Sequence, residues 1–225
     1  MHWILIGLLW FVSFSLPGEA NSSTPFALAA KATKQQRYKS KILCPLIVLD
    51  AGHGGNDEGA KVHRLAEKKV TLLTAFYTKR YLEELGYRVL LTRGKDAYLS
   101  LPKRVTIANS LKCALFVSIH FNACKNPDVE GVEIFYYPGS KKERVTSSRK
   151  LASYMLHHVL DQTGAVSRGV KGGNLHVIRE TDMPAVLVEA GFMTNRAEWT
   201  NIRNKKYLER IAKGIALGVD RYIKS

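Results

Sequence analysis

Cysteine is scarce in this chain, with three residues in 225, and that scarcity excludes a disulfide-built scaffold. Cys44, Cys113 and Cys124 cannot all pair within one chain, and none lies in a CxxC or other metal-ligand spacing. Cys113 and Cys124 bracket a predicted strand that holds them too far apart for a bridge. Buried thiols are expected, with a Cys44–Cys113 bridge as the alternative. A long hydrophobic run is also missing: the apolar stretch at residues 3–16 is short for a membrane span. Acidic residues are few, 19 against 34 Lys and Arg, giving a formal charge of +15. There is no internal repeat, collagen-like period or low-complexity tract. What remains, 46% hydrophobic and 24% charged, is the composition of an ordinary globular domain.

The apolar stretch is followed by Gly18-Glu19-Ala20, which offers small residues at the two positions a signal peptidase reads. Residues 1–20 are therefore expected to be a cleavable signal peptide, although its positive end is weak, with only His2 and the α-amine. An uncleaved N-terminal anchor is the competing reading. Residues 21–44 are polar, then basic, without a sustained apolar period, and are expected to form a linker. So basic a chain is a candidate for nucleic-acid binding, but an export signal argues against that partner. An anionic wall polymer or membrane surface explains the charge equally well. The expectation is an exported monomer of the periplasm or cell envelope, with no membrane span once the leader is removed.

From residue 45 onward, strand and helix patterns alternate. Leu46-Ile47-Val48-Leu49 is a continuous apolar run ending in Asp-Ala-Gly-His-Gly-Gly, as a buried parallel strand runs into a loop. Helical spacing over 67–85 stops at Gly86. A strand is predicted at 87–91, and a helix over 100–111 with Ser100 as N-cap and Pro102 in its first turn. Strands follow at 114–120 and 132–137, a helix at 148–163, short strands near 175–178 and 185–189, and an amphipathic helix over 205–223. This order predicts one α/β domain over 45–225: a mainly parallel twisted sheet of about six strands flanked by helices.

Strand ends carry the chemistry. The first strand runs out into His53, the third ends at His120, and the last ends at Glu189. Ligands of open α/β sheets bind outside the carboxyl ends of the strands, so these side chains can meet on one rim. Glu67 opens the first helix and returns to that rim. Two imidazoles and a carboxylate with an open fourth position make a catalytic zinc site, one Zn²⁺ per chain. Gly52, Gly54 and Gly55 would let backbone pass close to a metal and substrate.

Four segments then carry a resemblance: Ile47-Val48-Leu49-Asp50-Ala51-Gly52-His53-Gly54-Gly55, Ala66-Glu67-Lys68, Phe116-Val117-Ser118-Ile119-His120-Phe121-Asn122-Ala123, and Pro184-Ala185-Val186-Leu187-Val188-Glu189-Ala190-Gly191-Phe192. Smaller matches are Leu91-Thr92-Arg93, Arg104 with Ala108-Asn109, Gly169-Val170-Lys171 and Thr194-Asn195. Over residues 45–223 the chain resembles the zinc-dependent N-acetylmuramoyl-L-alanine amidases of bacterial cell division and sporulation. The resemblance implies hydrolysis of the bond between N-acetylmuramic acid and L-alanine in peptidoglycan or muropeptides. It implies His53, Glu67 and His120 as zinc ligands and Glu189 as the catalytic carboxylate. Asp50 and Ser118 are candidates for contacts to the histidines, though a satisfied structural role is as good a reading, and Asn122 is a substrate candidate. The family's Asp-Pro-Gly is here Asp57-Glu58-Gly59, which costs loop stiffness. The connection after Tyr137 is short and leaves no room for the occluding helix of some division-associated members, so an open site is expected.

Rival motifs are weaker. Ser100-Leu101-Pro102-Lys103 and Ser147-Ser148-Arg149-Lys150 spell SxxK, the nucleophile motif of penicillin-binding serine enzymes, but no KTG or S-x-N partner appears. Ser100 is explained as an N-cap with Lys103 on the surface, and Ser147 with Lys150 as a basic helix entry. His63, His157 and His158 suit surface or packing roles. His176, on a strand expected to border the cleft, is the next candidate ligand or a substrate contact. A wall-binding protein without chemistry would be expected to lack one of the four chemical residues.

Overall fold

The computed structural model describes residues 44–225 of the 225; the expected leader and most of the expected linker lie outside the described residues. The chain order is β1 (Leu46–Ala51), β2 (Lys61–Val62), β3 (Leu65–Ala66), α1 (Glu67–Glu84), β4 (Arg88–Leu91), α2 (Leu101–Ser110), β5 (Leu115–Asn122), β6 (Val132–Tyr136), α3 (Lys142–Thr163), β7 (Ser167–Gly172), α4 (His176–Arg179), β8 (Ala185–Phe192), α5 (Arg196–Ile202) and α6 (Lys205–Ile223). Six strands form one sheet in the order β4-β1-β5-β8-β6-β7. The first four are mutually parallel, β6 runs antiparallel to β8, and β7 is parallel to β6. Strands β2 and β3 make a separate antiparallel hairpin.

The central strands are apolar on both faces because helices cover both. Ile47 and Leu49 of β1, Leu115 and Val117 of β5, and Val186 and Val188 of β8 face the larger core, filled by α1, α3 and α6. The alternate residues Val48, Phe116, Ala185 and Leu187 face a smaller core with Ala108 of α2 and Val177 and Ile178 of α4. Each of the larger side chains is essentially inaccessible, and such burial contributes roughly 1.5–3 kcal/mol apiece.

Helix ends follow local chemistry. Gly86, at φ +95°, lets its amide reach Glu83 O and the Tyr87 amide reach Leu82 O, a Schellman stop for α1. Ser100 caps α2, accepting from the Lys103 amide, and α3 ends at Gly164 in the left-handed region.

The strand count is as expected, but one member is not. Residues 175–178 do not form a strand: Leu175 precedes the single helical turn of α4. Arg144 of α3 donates to the carbonyls of Ile178, Arg179 and Met183 and closes that turn's C-terminal end. The sixth strand is β7, a half-exposed edge strand with two glycines. Helix α3 begins at Lys142, six residues before the predicted start. All three cysteines are free; Cys113 is buried, whereas Cys44 and Cys124 are only half-buried, so neither the bridge nor three buried thiols is found. No helix among the described residues is long and apolar enough to cross a membrane.

Candidate metal centre

The loop leaving β1, the first residue of α1 and the end of β5 bring three donors together. Ligand atoms of His53, Glu67 and His120 all lie within 4.8 Å of one another. Glu67 is buried between the two rings: Oε2 lies 3.1 Å from His53 Nε2 and Oε1 lies 2.9 Å from His120 Nδ1. Backbone amides of Ala60 and Phe121 also donate to it, at 2.9 and 3.1 Å. Burial alone would raise the Glu67 carboxyl, but His120 and His53 beside it hold it far below the usual carboxylate range. For His53, burial lowers the pKa, while Glu67 and Asp57 more than offset that and raise it.

This donor chemistry fits a divalent cation. Two imidazoles about one carboxylate suit zinc, whose bonds of about 2.0–2.2 Å put tetrahedral ligands roughly 3.4 Å apart. The separations around Glu67 are already close to that. The imidazole rings stand 4.9 Å apart, nearly perpendicular. His53 and His120 side chains keep 22% and 18% exposure, so both rings remain partly open to solvent.

Glu189 joins them from β8, where it pairs in register with His120 on one side and with Glu133 on the other. The register shifts one residue later, between His120 and Asn122, a bulge of the kind that re-aims side chains beside active sites. Glu189 Oε2 is buried and has no hydrogen-bond partner among the described residues. Burial first, then the charges of Glu67 and Glu133, raise its pKa well above the ordinary range. His53, Glu67, His120 and Glu189 line one cleft of about 450 Å³, with Asn122 and His176 on its walls. His176 thus borders the cleft as expected, although from α4 rather than a strand, and lies outside the three-donor cluster.

Asp50 and Ser118 do not contact the histidines. Asp50 accepts from Thr92 Oγ1 at 2.6 Å, Arg104 Nη1 at 2.7 Å and Ser118 Oγ at 2.8 Å, all in the core. The residue that does orient a ligand is Asp57: its Oδ1 lies 2.8 Å from His53 Nδ1. The sequence showed it only within a loop lacking the usual proline. Glu133 was also missed. Buried on β6, it accepts from Asn122 Nδ2, Arg168 Nε and Lys171 Nζ.

The glycines divide differently from expectation. Any side chain at Gly52 would overlap the His120 ring, and one at Gly59 (φ +65°) would come within 2.6 Å of Glu67 and His53. Gly54 and Gly55 instead lie against the Ala97–Tyr98 backbone. Neither SxxK serine lines the cleft. Ser100 is the α2 N-cap and Lys103 is exposed; Ser147 lies in the second turn of α3 rather than at a helix entry, with exposed Lys150 near the Tyr154 ring. Strand β6 passes into α3 through residues 137–141 with no intervening helix, so that connection leaves the cleft open.

The family model described as N-acetylmuramoyl-L-alanine amidase matches residues 47–221. The chain belongs to that family. It is a metal-dependent hydrolase by that membership and by its His-Glu-His cluster. It is 37% identical over 177 residues to the N-acetylmuramoyl-L-alanine amidase CwlM of Bacillus licheniformis, covering 78% of this chain and 67% of that one. The solved catalytic domain of CwlV from Bacillus (Paenibacillus) polymyxa var. colistinus is 36% identical with a TM-score of 0.75, covering 80% and 98%. The amidase structure from Clostridium difficile 630 is 34% identical with a TM-score of 0.77, covering 81% and 98%.

Proposed function

We propose that this amidase hydrolyses the amide between N-acetylmuramic acid and L-alanine of peptidoglycan stem peptides, using one zinc ion held by His53, Glu67 and His120. The observation that carries the reading is the shared cleft: three candidate metal donors and, in register beside them, a buried carboxylate oxygen without a partner among the described residues. When bound, zinc polarises the scissile carbonyl and acidifies the attacking water. Glu189 takes the proton from that water and hands it to the departing L-alanine nitrogen. Its raised affinity for a proton suits the second half of that cycle, and a divalent ion held by His53, Glu67 and His120 would oppose the shift. Asp57 fixes His53 with Nδ1 protonated and Nε2 free to bind metal.

All four groups come from one chain, so a monomer with a single zinc suffices. The periplasm or cell envelope is the proposed location, supported by the signal peptide expected at residues 1–20 and by a cell-wall substrate. The test is mass spectrometry of products from a defined muropeptide. Release of the intact stem peptide should vanish with a chelator and return with zinc. Glu189→Gln should lower kcat about 10²–10⁴-fold while zinc content stays stoichiometric. Cleavage within the peptide, or a rate indifferent to chelation, overturns the reading.

A further inference from the structure

A second pocket, of about 540 Å³, is lined by Val62, His63, Thr194, Arg196, Trp199 and Arg203 among others. Two walls tie it to the metal cleft. Ala60 lines the cleft and donates to Glu67, and the β2–β3 hairpin that follows carries Val62 and His63 into the second pocket before returning to Glu67. On the other side, Met193 N donates to Asn122 O at 2.8 Å. Asn122 lines the cleft, and Met193 and Thr194 line the second pocket. The β2–β3 hairpin and the Asn122–Met193 contact therefore join the walls of the two pockets.

The chemistry of this pocket is lopsided toward donors. Arg196 and Arg203 are exposed, and neither has a carboxylate partner among the described residues. Buried and part-buried arginines elsewhere are satisfied within the fold, Arg104 by Asp50 and Arg93 and Arg144 by backbone carbonyls. Arg203 lies over the Trp199 ring, 4.5 Å from its centroid, and Trp199 Nε1 has no acceptor among the described residues. The two exposed guanidinium groups donate and cannot accept, so the ligand complementary to them is an acceptor carrying negative charge. His63 packs edge-on against Trp199 at 5.2 Å. It does so from φ +52°, in the first position of a two-residue hairpin turn where glycine is the usual residue.

We propose that this pocket binds a carboxylate of the stem peptide, downstream of the L-alanine released at the metal. The proposal rests on the amidase reading above. The test compares two muropeptides that differ only in whether the stem carboxylates are free or amidated. The enzymes are the zinc-loaded full chain and its Arg196→Gln, Arg203→Gln and double variants. The parent enzyme should favour the free carboxylate, and the double variant should lose that preference through an approximately tenfold rise in KM at nearly constant kcat. Kinetics on the amidated substrate should not change, which also shows that the variants fold. A parent enzyme that treats the two substrates alike, or a double variant that keeps the preference, overturns the subsite while leaving the amidase intact. Cleavage of neither substrate by the parent overturns the amidase reading and the subsite with it.

Discussion

Replacing Asp57 with alanine should weaken metal binding without unsettling the fold. Its carboxylate accepts from His53 Nδ1 at 2.8 Å and from the Gly59 amide at 3.1 Å. Hydrogen-bond partners of metal-bound histidines are generally worth 10–100-fold in metal affinity, or about 1.4–2.8 kcal/mol. Asp57 is 44% exposed, so water screens the contact and can replace the lost acceptor. The lower end, about tenfold, is expected. The assay is a zinc titration against a chelating dye, with thermal unfolding of the metal-free proteins as the control. Metal-free Tm should move little, because the side chain is exposed. With zinc in excess, the holoenzyme's added stability should shrink as the affinity falls. A zinc affinity unchanged within twofold would refute the reasoning, because water would then orient His53 as well as Asp57 does.

Glu133→Gln should destabilise the protein at neutral pH by about 1–2 kcal/mol, since Arg168 and Lys171 are partly exposed. Burial raises the Glu133 carboxyl, but Lys171 and Arg168 outweigh it and lower the folded-state pKa. Its stabilisation is therefore present above the unfolded value of about 4.3 and fades as pH falls through the lower folded value. Urea unfolding near pH 7 and near about pH 3.5 should show the gap closing in acid; a pH-independent gap contradicts the ion-pair account. Burial pushes the Cys113 thiol up to about 11, and the thiolate is the reactive form. Labelling near neutral pH should modify Cys44 and Cys124 first, with Cys113 reacting only in denaturant; mass spectrometry showing three fast adducts counts against this. Ser100→Ala should cost about 0.5–1 kcal/mol of stability through its cap, and neither it nor Ser147→Ala should alter the amidase rate. A rate lost in either variant would revive the serine mechanism.

The legible parts of the sequence were those whose chemistry is local. Leu46–Ala51, Leu115–Asn122 and Ala185–Phe192 are buried on both faces, so each reads as an apolar run whatever its neighbours. Glu67 was legible because it opens the first helix after β1, which returns it to the rim that carries His53 and His120. Residues 175–178 misled because Leu175, Val177 and Ile178 are apolar in either geometry. Their helical turn is stabilised by Arg144, more than thirty residues earlier, which no local window contains. Strand β7 was hidden for the opposite reason: an edge strand half-open to water needs no apolar run. For Asp50 and Ser118 the sequence left contacts to the histidines and a satisfied structural role equally open. The β1–β5 register decides for the structural role, pairing them with each other inside the core.

That core pairing explains how a strained ligand is held. His53 has φ +60°, which costs a non-glycine residue roughly 1–3 kcal/mol, and something must prevent the loop from relaxing. Arg104 Nη2 donates to His53 O at 2.7 Å, Arg93 Nη2 to Gly52 O at 2.7 Å, and both guanidiniums donate to Ala51 O. Thr71 on α1 adds a second donor to Gly52 O. Two buried cations so close would oppose each other, and burial followed by the charge of Arg104 does lower the Arg93 pKa. Asp50 neutralises one of them at 2.7 Å, so the other can remain charged against backbone carbonyls. Asp50 and Ser118 therefore act on the metal centre without touching it, through the arginine that fixes the loop behind His53. Because these contacts come from β1, α1, the segment after β4 and α2, the ligand geometry forms with the fold. Metal affinity then need not be spent on ordering the loop.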